Sequence, residues 1–224
     1  MELIRKLKLY LKKFYSINKI DQKMLKYINY ENGYYIECGA NDGIRQSNTF
    51  HFEKSKGWKG VLIEPSYKFE KLIRNRSKKN FFSNNCCVSL ANQNQMIKFK
   101  YLNLMTKITD KKIVKSDHDS EEKNNIAKKF MTSDEKVFDF ESKGRTLTSI
   151  LDEANSPNLI DFFSLDVEGS EFEVIDGIDF DKYNFKFFLI ETENFTKLNQ
   201  ILKNKKYFFL ENLTNHDYLF TFKK

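Results

Sequence analysis

The chain has 224 residues, a length that fits one large domain, and 40% of them are apolar, which excludes a disordered chain. Two Pro and eight Gly exclude collagen-like and proline-rich classes, and three cysteines are too few and odd in number for a disulfide framework. We therefore expect reduced thiols and a cytoplasmic protein. The net charge of +7 favours phosphorylated substrates, anionic lipid or nucleic acid as partners, although a lysine-rich solvated surface gives the same balance.

The first 30 residues are predicted to form a helical extension of the domain. Apolar side chains recur at helical spacing between positions 3 and 15 (Leu3, Ile4, Leu7, Leu11, Phe14), and a second helix is predicted from Asp21 to about Tyr30. Two interpretations of the first helix stay open. It packs on the domain, or residues 1–16 dock on a membrane surface or a glycosyltransferase and make the protein peripheral to the membrane. No apolar run approaches the roughly eighteen residues of a membrane span.

Residues 31–224 are predicted to form one α/β domain. Strands are predicted, in chain order, at 34–38, 60–64, 81–88, 96–101, 159–166, 185–191, 207–211 and 218–222. Helices are predicted at 47–56, 66–76, 148–155, from 170 or 171 onward, and at 195–203. Because strands alternate with helices, this order predicts a mainly parallel sheet. Residues 103–142 are a charged insert with one predicted helix near 126–131, and we expect it to act as a lid over the acceptor.

Acidic residues end several of the predicted strands, where ligands bind in open α/β sheets. The loop from Gly39 to Gly43 lacks the middle glycine of the dinucleotide motif, and Glu37 and Asp42 would repel a diphosphate. These acids suit a ligand that carries cations, as S-adenosylmethionine does with its ammonium and sulfonium groups. Glu64 ends the second strand, where a carboxylate can bind both hydroxyls of a ribose.

Two segments resemble the FkbM family of methyltransferases. The first contains Glu37 to Gly43 (ECGANDG), Ser47-Asn48-Thr49 and Gly57 to Pro65 (GWKGVLIEP), and the second is Leu165 to Glu171 (LDVEGSE). The resemblance covers about residues 33–222 and is weakest at 103–142. It implies a Rossmann-like sheet of seven strands with a reversed last strand, S-adenosylmethionine as methyl donor, and O-methylation, often of sugars or natural products.

The resemblance also implies roles for individual residues. The methionine end of the cofactor would be held by the first loop and its neighbours, the ribose by Glu64, and the adenine by residues after the third strand. The cofactor-binding residues expected in this way are Glu37, Gly39, Ala40, Asn41, Asp42, Gly43, Ser47, Glu64, Pro65, Asn85, Cys86 and Asp166.

Asp166 and Glu168 are the expected catalytic residues. An alcohol nucleophile has a pKa far above 7, so a base or a metal ion must help to remove its proton. Asp166 ends the strand beside the expected methyl group, and Asp166, Glu168 and Glu191 are the ligands we expect if a divalent cation takes part. The alternative for Glu168 and for Glu171 is that each only caps the helix that follows.

Two histidines have more than one interpretation from the sequence. His216 in the closing turn either reaches the rim of the site or only shapes the turn, and His51 either packs in its helix or faces solvent.

We expect a small-molecule or glycan acceptor, with or without a phosphate group, and no DNA. The alternatives are methyl transfer to RNA, an amine or a natural product, although no aromatic-interleaved RNA motif is present, and a non-catalytic docking module.

Overall fold

Eleven strands and six α-helices are found in the part of the chain that the structure describes. The computed structural model describes residues 12–110, 112–113, 125, 127–129, 131 and 135–223. The strands are β1 (Tyr34–Cys38), β2 (Lys59–Ile63), β3 (Phe81–Ser83), β4 (Cys86–Cys87), β5 (Met96–Tyr101), β6 (Lys107–Ile108), β7 (Phe138–Arg145), β8 (Leu159–Leu165), β9 (Asn184–Glu191), β10 (Tyr207–Asn212) and β11 (Asp217–Phe222). The helices are α1 (Ile20–Met24), α2 (Phe50–Lys56), α3 (Phe69–Asn75), α4 (Leu147–Glu153), α5 (Glu171–Asp176) and α6 (Phe195–Lys203).

Seven of the strands form the main sheet, in the order β10-β11-β9-β8-β1-β2-β3. Neighbouring strands from β9 to β3 run parallel, whereas β11 runs antiparallel to both β9 and β10. The predicted fold class, a mostly parallel seven-stranded sheet with a reversed last strand, is confirmed. Because β1 lies near the centre of this order, the loop that follows β1 sits in the middle of the carboxyl edge.

Both faces of the main sheet are covered, which explains the near-continuous apolar strands. Side chains of β1, β8 and β9 such as Ile36, Phe163 and Phe188 pack on one face with α4, α5 and α6. The alternating side chains, such as Tyr35 and Phe162, pack on the other face with residues of α1, α2 and α3. Alternation along each strand therefore decides which side chains can meet at the carboxyl edge.

Several helices are shorter than predicted, and local hydrogen bonds explain one of the differences. The helix predicted from residue 47 begins at Phe50, because the Ser47 hydroxyl accepts bonds from the backbone N–H of Thr49 and Phe50. The helix predicted from Asp21 to Tyr30 spans only Ile20–Met24. Of the helix predicted over residues 3–15, positions 1–11 lie outside the described residues, and 12–15 are not helical. Of the helix predicted at 126–131, positions 127 and 128 are helical, 129 and 131 are not, and 126 and 130 lie outside the described residues.

A second sheet, in the order β4-β7-β5-β6, corrects the prediction for the insert. The single strand predicted at 81–88 is divided, since β3 belongs to the main sheet and β4 to the small one. Strand β7 lies partly inside the predicted insert and was missed, because charged residues alternate with its aromatic ones. Those charges lie opposite partners on β5, with Asp139 paired with Lys100 and Glu141 with Lys98. Opposite charges at such positions stabilise the pairing.

Candidate active site

Five neighbouring positions form a row along the carboxyl edge of the main sheet. The register pairs Cys38 with both Ile63 and Leu165, and Leu165 with Ile190, so the next residues along these strands are neighbours too. The row is Glu64, Gly39, Asp166, Glu191 and Asp217, and the last two are paired directly. Since neighbouring strands lie roughly 4.8 Å apart, Gly39 separates the carboxylate of Glu64 from three carboxylates on its other side.

Gly39 is required at the centre of this row. It has a φ of +90°, and a Cβ at this position would lie 1.8 Å from the backbone oxygen of Asp166. The backbone N–H of Asp166 donates to the Cys38 oxygen at 3.1 Å, and the N–H of Gly39 donates to the Ile63 oxygen at 3.0 Å. The three strand ends are therefore held together by close backbone contact, which any other side chain would disrupt.

Glu64 is buried, with its carboxylate fixed by two backbone donors. Its Oε2 accepts from the N–H of Asn41 at 2.8 Å, and its Oε1 accepts from the N–H of Ser66 at 2.9 Å. Burial raises the pKa of this carboxyl, although the bonds from Ser66 and Asn41 oppose the rise. Each oxygen of a carboxylate can accept about two hydrogen bonds, so each retains capacity for a ligand hydroxyl. This geometry suits the predicted ribose contact.

The loop after β1 is held in shape by its own side chains. The carboxylate of Asp42 accepts from the N–H of Ile44 at 3.0 Å and of Arg45 at 2.8 Å, and the Asn41 side chain accepts from the N–H of Asp42 at 2.8 Å. Ala40 is buried against the core, and the carbonyl of Gly43 accepts from Arg76 at 3.0 Å. Contact of Gly39, Ala40, Asn41, Asp42 and Gly43 with the methionine end of a cofactor stays a prediction.

Glu37 lies in a buried polar network, which revises the role expected for it. Its carboxylate accepts from the N–H of Asn48 at 2.7 Å, the hydroxyls of Ser47 and Thr49 at 2.8–2.9 Å, and Arg76 at 3.1 Å. These bonds connect β1 to the start of α2 and to the end of α3. Glu37 and Ser47 thus support the binding loop from beneath, and we no longer expect them to contact a ligand directly.

Arg76 is the central donor of this network, and no sequence pattern predicted this role for it. Its fully buried guanidinium also donates to Glu53 at 2.8 Å, to the Tyr35 hydroxyl at 2.7 Å and to the Thr49 hydroxyl at 2.9 Å. Burial alone would lower its pKa, but Tyr35, Glu37 and Glu53 raise it above its ordinary value. A single arginine after a basic helix gives no sequence signal, because only the fold brings its acceptors together.

Asp166 has the most perturbed environment among the carboxylates of the row. Burial raises its pKa well above the ordinary value, and the charges of Glu191 and Glu168 raise it further. Burial also raises the pKa of Glu191 and of Asp217. Such shifts concentrate at functional sites. Glu168 follows in a left-handed conformation, with φ of 52°, so the turn after β8 is strained at a second expected catalytic residue.

The expected adenine contacts are not brought together. Cys86 is buried in the core of the small sheet with Val88 and Ile97, so it cannot face a ligand at the edge of the main sheet. The amide of Asn85 accepts from the Ser83 hydroxyl at 3.1 Å and donates to the backbone of the small sheet, and Pro65 is partly exposed beside Glu64. The correction for Cys86 follows from the division of the predicted third strand, which sends this residue into the second sheet.

Neither a metal centre nor a membrane span is found in the described part of the chain. No three His, Cys, Asp or Glu side chains among the described residues converge closely enough to hold a metal ion, including Asp166, Glu168 and Glu191. Among the same residues, no helix has both the length and the apolar character needed to cross a bilayer.

Comparisons with known proteins found two similar solved structures and one matching family model. A comparison with curated protein sequences gave no match. Among solved structures, the chain is similar to methyltransferase FkbM from Methylobacillus flagellatus KT, with 15% identity and a TM-score of 0.47 over 88% of this chain and 45% of that one. It is also similar to precorrin-6y C5,15-methyltransferase from Geobacter metallireducens GS-15, with 10% identity and a TM-score of 0.46 over 93% of this chain and 94% of that one.

This chain thus spans less than half the length of the Methylobacillus protein. The family assignment rests on the sequence model of the methyltransferase FkbM domain, which matches residues 37–220 and therefore most of the chain. The match includes the loop after β1, the acid after β2 and the acids after β8. The chain belongs to the FkbM methyltransferase family.

Proposed function

We propose that this methyltransferase transfers the methyl group of S-adenosylmethionine to a hydroxyl of a carbohydrate. The residues fit the cofactor, because Glu64 offers fixed carboxylate oxygens to the ribose, and the close contact of Gly39 with the backbone of Asp166 brings Asp166 beside the loop that follows β1. When bound, the cofactor supplies an electrophilic methyl group on a positively charged sulfur. The carboxylates of the row stabilise that charge, and the backbone around Asn41 and Asp42 holds the amino-acid end.

The observation that carries the proposal is the position of Asp166. It lies next to Gly39 in the row, and its raised pKa makes it a stronger base than an ordinary carboxylate once it is ionised. In this role Asp166 accepts a hydrogen bond from the acceptor hydroxyl, orients that oxygen, and takes its proton as the new bond forms. Glu191, beside it, helps to hold the hydroxyl in place.

The same carboxylates distinguish between the classes of acceptor. Glu191 and Asp217 continue the negative row beyond Asp166, and they would repel a phosphodiester chain placed across it. Sugar hydroxyls, by contrast, are neutral donors that carboxylates accept well. The row therefore favours a carbohydrate hydroxyl over RNA at the reacting position.

The first test is calorimetric titration with S-adenosylhomocysteine, with NAD as the comparison ligand. We expect micromolar binding of S-adenosylhomocysteine, no binding of NAD, and loss of binding in Glu64→Ala. Glu70→Ala is the matched control, because Glu70 is exposed on α3. Binding that survives Glu64→Ala, or no binding by the folded protein, would contradict the proposed cofactor site.

The second test measures turnover with a panel of sugars and sugar derivatives. Loss of a general base lowers the rate by roughly 10²–10⁴-fold, so Asp166→Asn should do so while S-adenosylhomocysteine still binds. Unchanged turnover in this variant would remove Asp166 from the mechanism. Methylation of amines or of RNA, but of no sugar in the panel, would overturn the assignment of a carbohydrate acceptor.

A further inference from the structure

An open groove of about 510 Å³ lies at the end of the acidic row, next to Asp217. It is lined by Asn18, Lys19 and Lys23 from the start of the described chain, and by residues 213–216 of the turn between β10 and β11. That turn leads directly into Asp217, which is paired with Glu191 on β9. The groove thus continues the carboxyl edge on the side of Gly39 away from Glu64.

The turn that forms one wall of the groove is held in a defined shape. The hydroxyl of Thr214 accepts from the N–H of His216 at 3.2 Å and of Asp217 at 3.1 Å, and it donates to the carboxylate of Asp217. The carbonyl of His216 accepts from the N–H of Thr192 at 2.9 Å, which fixes the turn to the end of β9. His216 is therefore presented at a fixed position beside the acidic row.

The opposite wall is also held in place, and at a cost in backbone strain. Asn18 and Lys19 have left-handed backbones, with φ of 52° and 58°. The buried carboxylate of Asp21 anchors this segment, since it accepts from the N–H of Tyr15 and the hydroxyl of Ser16. The ammonium of Lys23 donates to the carbonyl of Leu213 and connects the two walls.

The groove places positive groups directly beside negative ones. Lys19, Lys23 and His216 are exposed at its surface. Burial raises the pKa of Asp217, whereas its bond from Thr214 and the proximity of His216 and Lys23 lower it. A ligand that spans this boundary would need an anionic group at one end and neutral hydroxyls at the other.

We propose that this groove binds the phosphate group of a phosphorylated sugar acceptor and directs a sugar hydroxyl toward Asp166. From β8 to β11 is two strand spacings, roughly 10 Å, which a phosphorylated monosaccharide can bridge. The lysines and His216 donate to the phosphate, and Asp217 and Glu191 accept from sugar hydroxyls. The sugar part of this ligand rests on the function proposed above, whereas the phosphate part rests on the groove alone.

The test is an amide chemical-shift titration with three probes, namely glucose 1-phosphate, glucose and inorganic phosphate. We expect glucose 1-phosphate to bind more tightly than glucose and to shift residues 18–23 and 213–216, with inorganic phosphate competing. Lys19→Asn combined with Lys23→Gln should weaken glucose 1-phosphate roughly tenfold, as expected for loss of two nearby charges. Asn suits the left-handed backbone at position 19.

The matched control is Lys71→Gln combined with Lys203→Gln, which removes the same charge from exposed lysines outside the groove. It should leave the affinity within about twofold, because neither lysine lines the groove and salt screens exposed charges. Equal weakening in the control, shifts confined to other residues, or binding of glucuronate as tight as that of glucose 1-phosphate would overturn the phosphate site. S-adenosylhomocysteine titrated into the same samples tests the proposed cofactor site separately. Failure of the phosphate site can therefore be distinguished from failure of the cofactor site.

Discussion

Replacement of Gly39 by alanine tests whether the close contact of β1 with β8 holds the site together. The new Cβ would start 1.8 Å from the Asp166 oxygen, so one backbone must move by about 1.2 Å to reach the 3.0 Å minimum seen for real Cβ contacts. Gly57→Ala is the matched control, because Gly57 also has a positive φ of 67° but its Cβ would meet only Asn32, at 3.1 Å.

Both alanine variants lose about 1–2 kcal/mol of folding stability, because a residue with a Cβ must adopt a left-handed backbone. Overpacking adds about 1–3 kcal/mol, and only Gly39→Ala should show that addition. Urea unfolding measures this difference in stability. Gly39→Ala should unfold at a lower midpoint urea concentration than Gly57→Ala, with the same m-value. Because the shift separates Asp166 from Glu64, S-adenosylhomocysteine affinity should fall in Gly39→Ala and be kept in Gly57→Ala. Equal stability of the two variants, with unchanged affinity, would refute the reasoning.

Three further predictions concern the buried charges. Arg76→Lys should cost about 3–5 kcal/mol in urea unfolding, because one ammonium cannot reach both Glu37 and Glu53 and so leaves one buried carboxylate without its cation, whereas exposed Arg74→Lys should change stability by less than about 0.5 kcal/mol. Burial raises the pKa of Glu53, but Arg76 and its other donors lower it overall. Its stabilising contribution is therefore present at neutral pH and should be lost as the pH falls through that pKa, which a pH series of unfolding midpoints checks. Asp166→Asn should raise the melting temperature at pH 7, since burial and Glu191 disfavour the charged form, and the gain should shrink in acid as the wild-type carboxyl becomes protonated.

Local patterns were sufficient to predict the main sheet and the acids at its edge. Strands such as β1 are short apolar runs that end at a turn, and Asp166 follows such a run directly. Strand β7 was missed because Asp139 and Glu141 make it look like a charged loop. Their partners, Lys100 and Lys98, lie about 40 positions away, and only cross-strand register reveals the pairing.

The support beneath the site could not be predicted, because it depends on contacts between distant segments. Glu37 precedes the binding loop and looks like a ligand in the sequence, yet Arg76 and the start of α2 occupy its carboxylate. The groove is a stronger example, since the bond between Lys23 and Leu213 joins positions 190 residues apart. A periodic pattern in the sequence cannot predict a site whose residues come from distant segments.

The pairing of β5 has a consequence for how this chain can change in evolution. Phe99 lies opposite Ile108 on one side and opposite Phe140 on the other, so these two positions are only about two strand spacings, roughly 10 Å, apart. The segment between them therefore begins and ends on strands whose positions are fixed by their pairing with β5. Doubling the length of such a loop costs only about 0.6 kcal/mol in closure entropy. Insertions and deletions between 109 and 137 therefore cost little closure entropy, provided that they keep Glu135 in contact with Lys68, Tyr101 and Asn103.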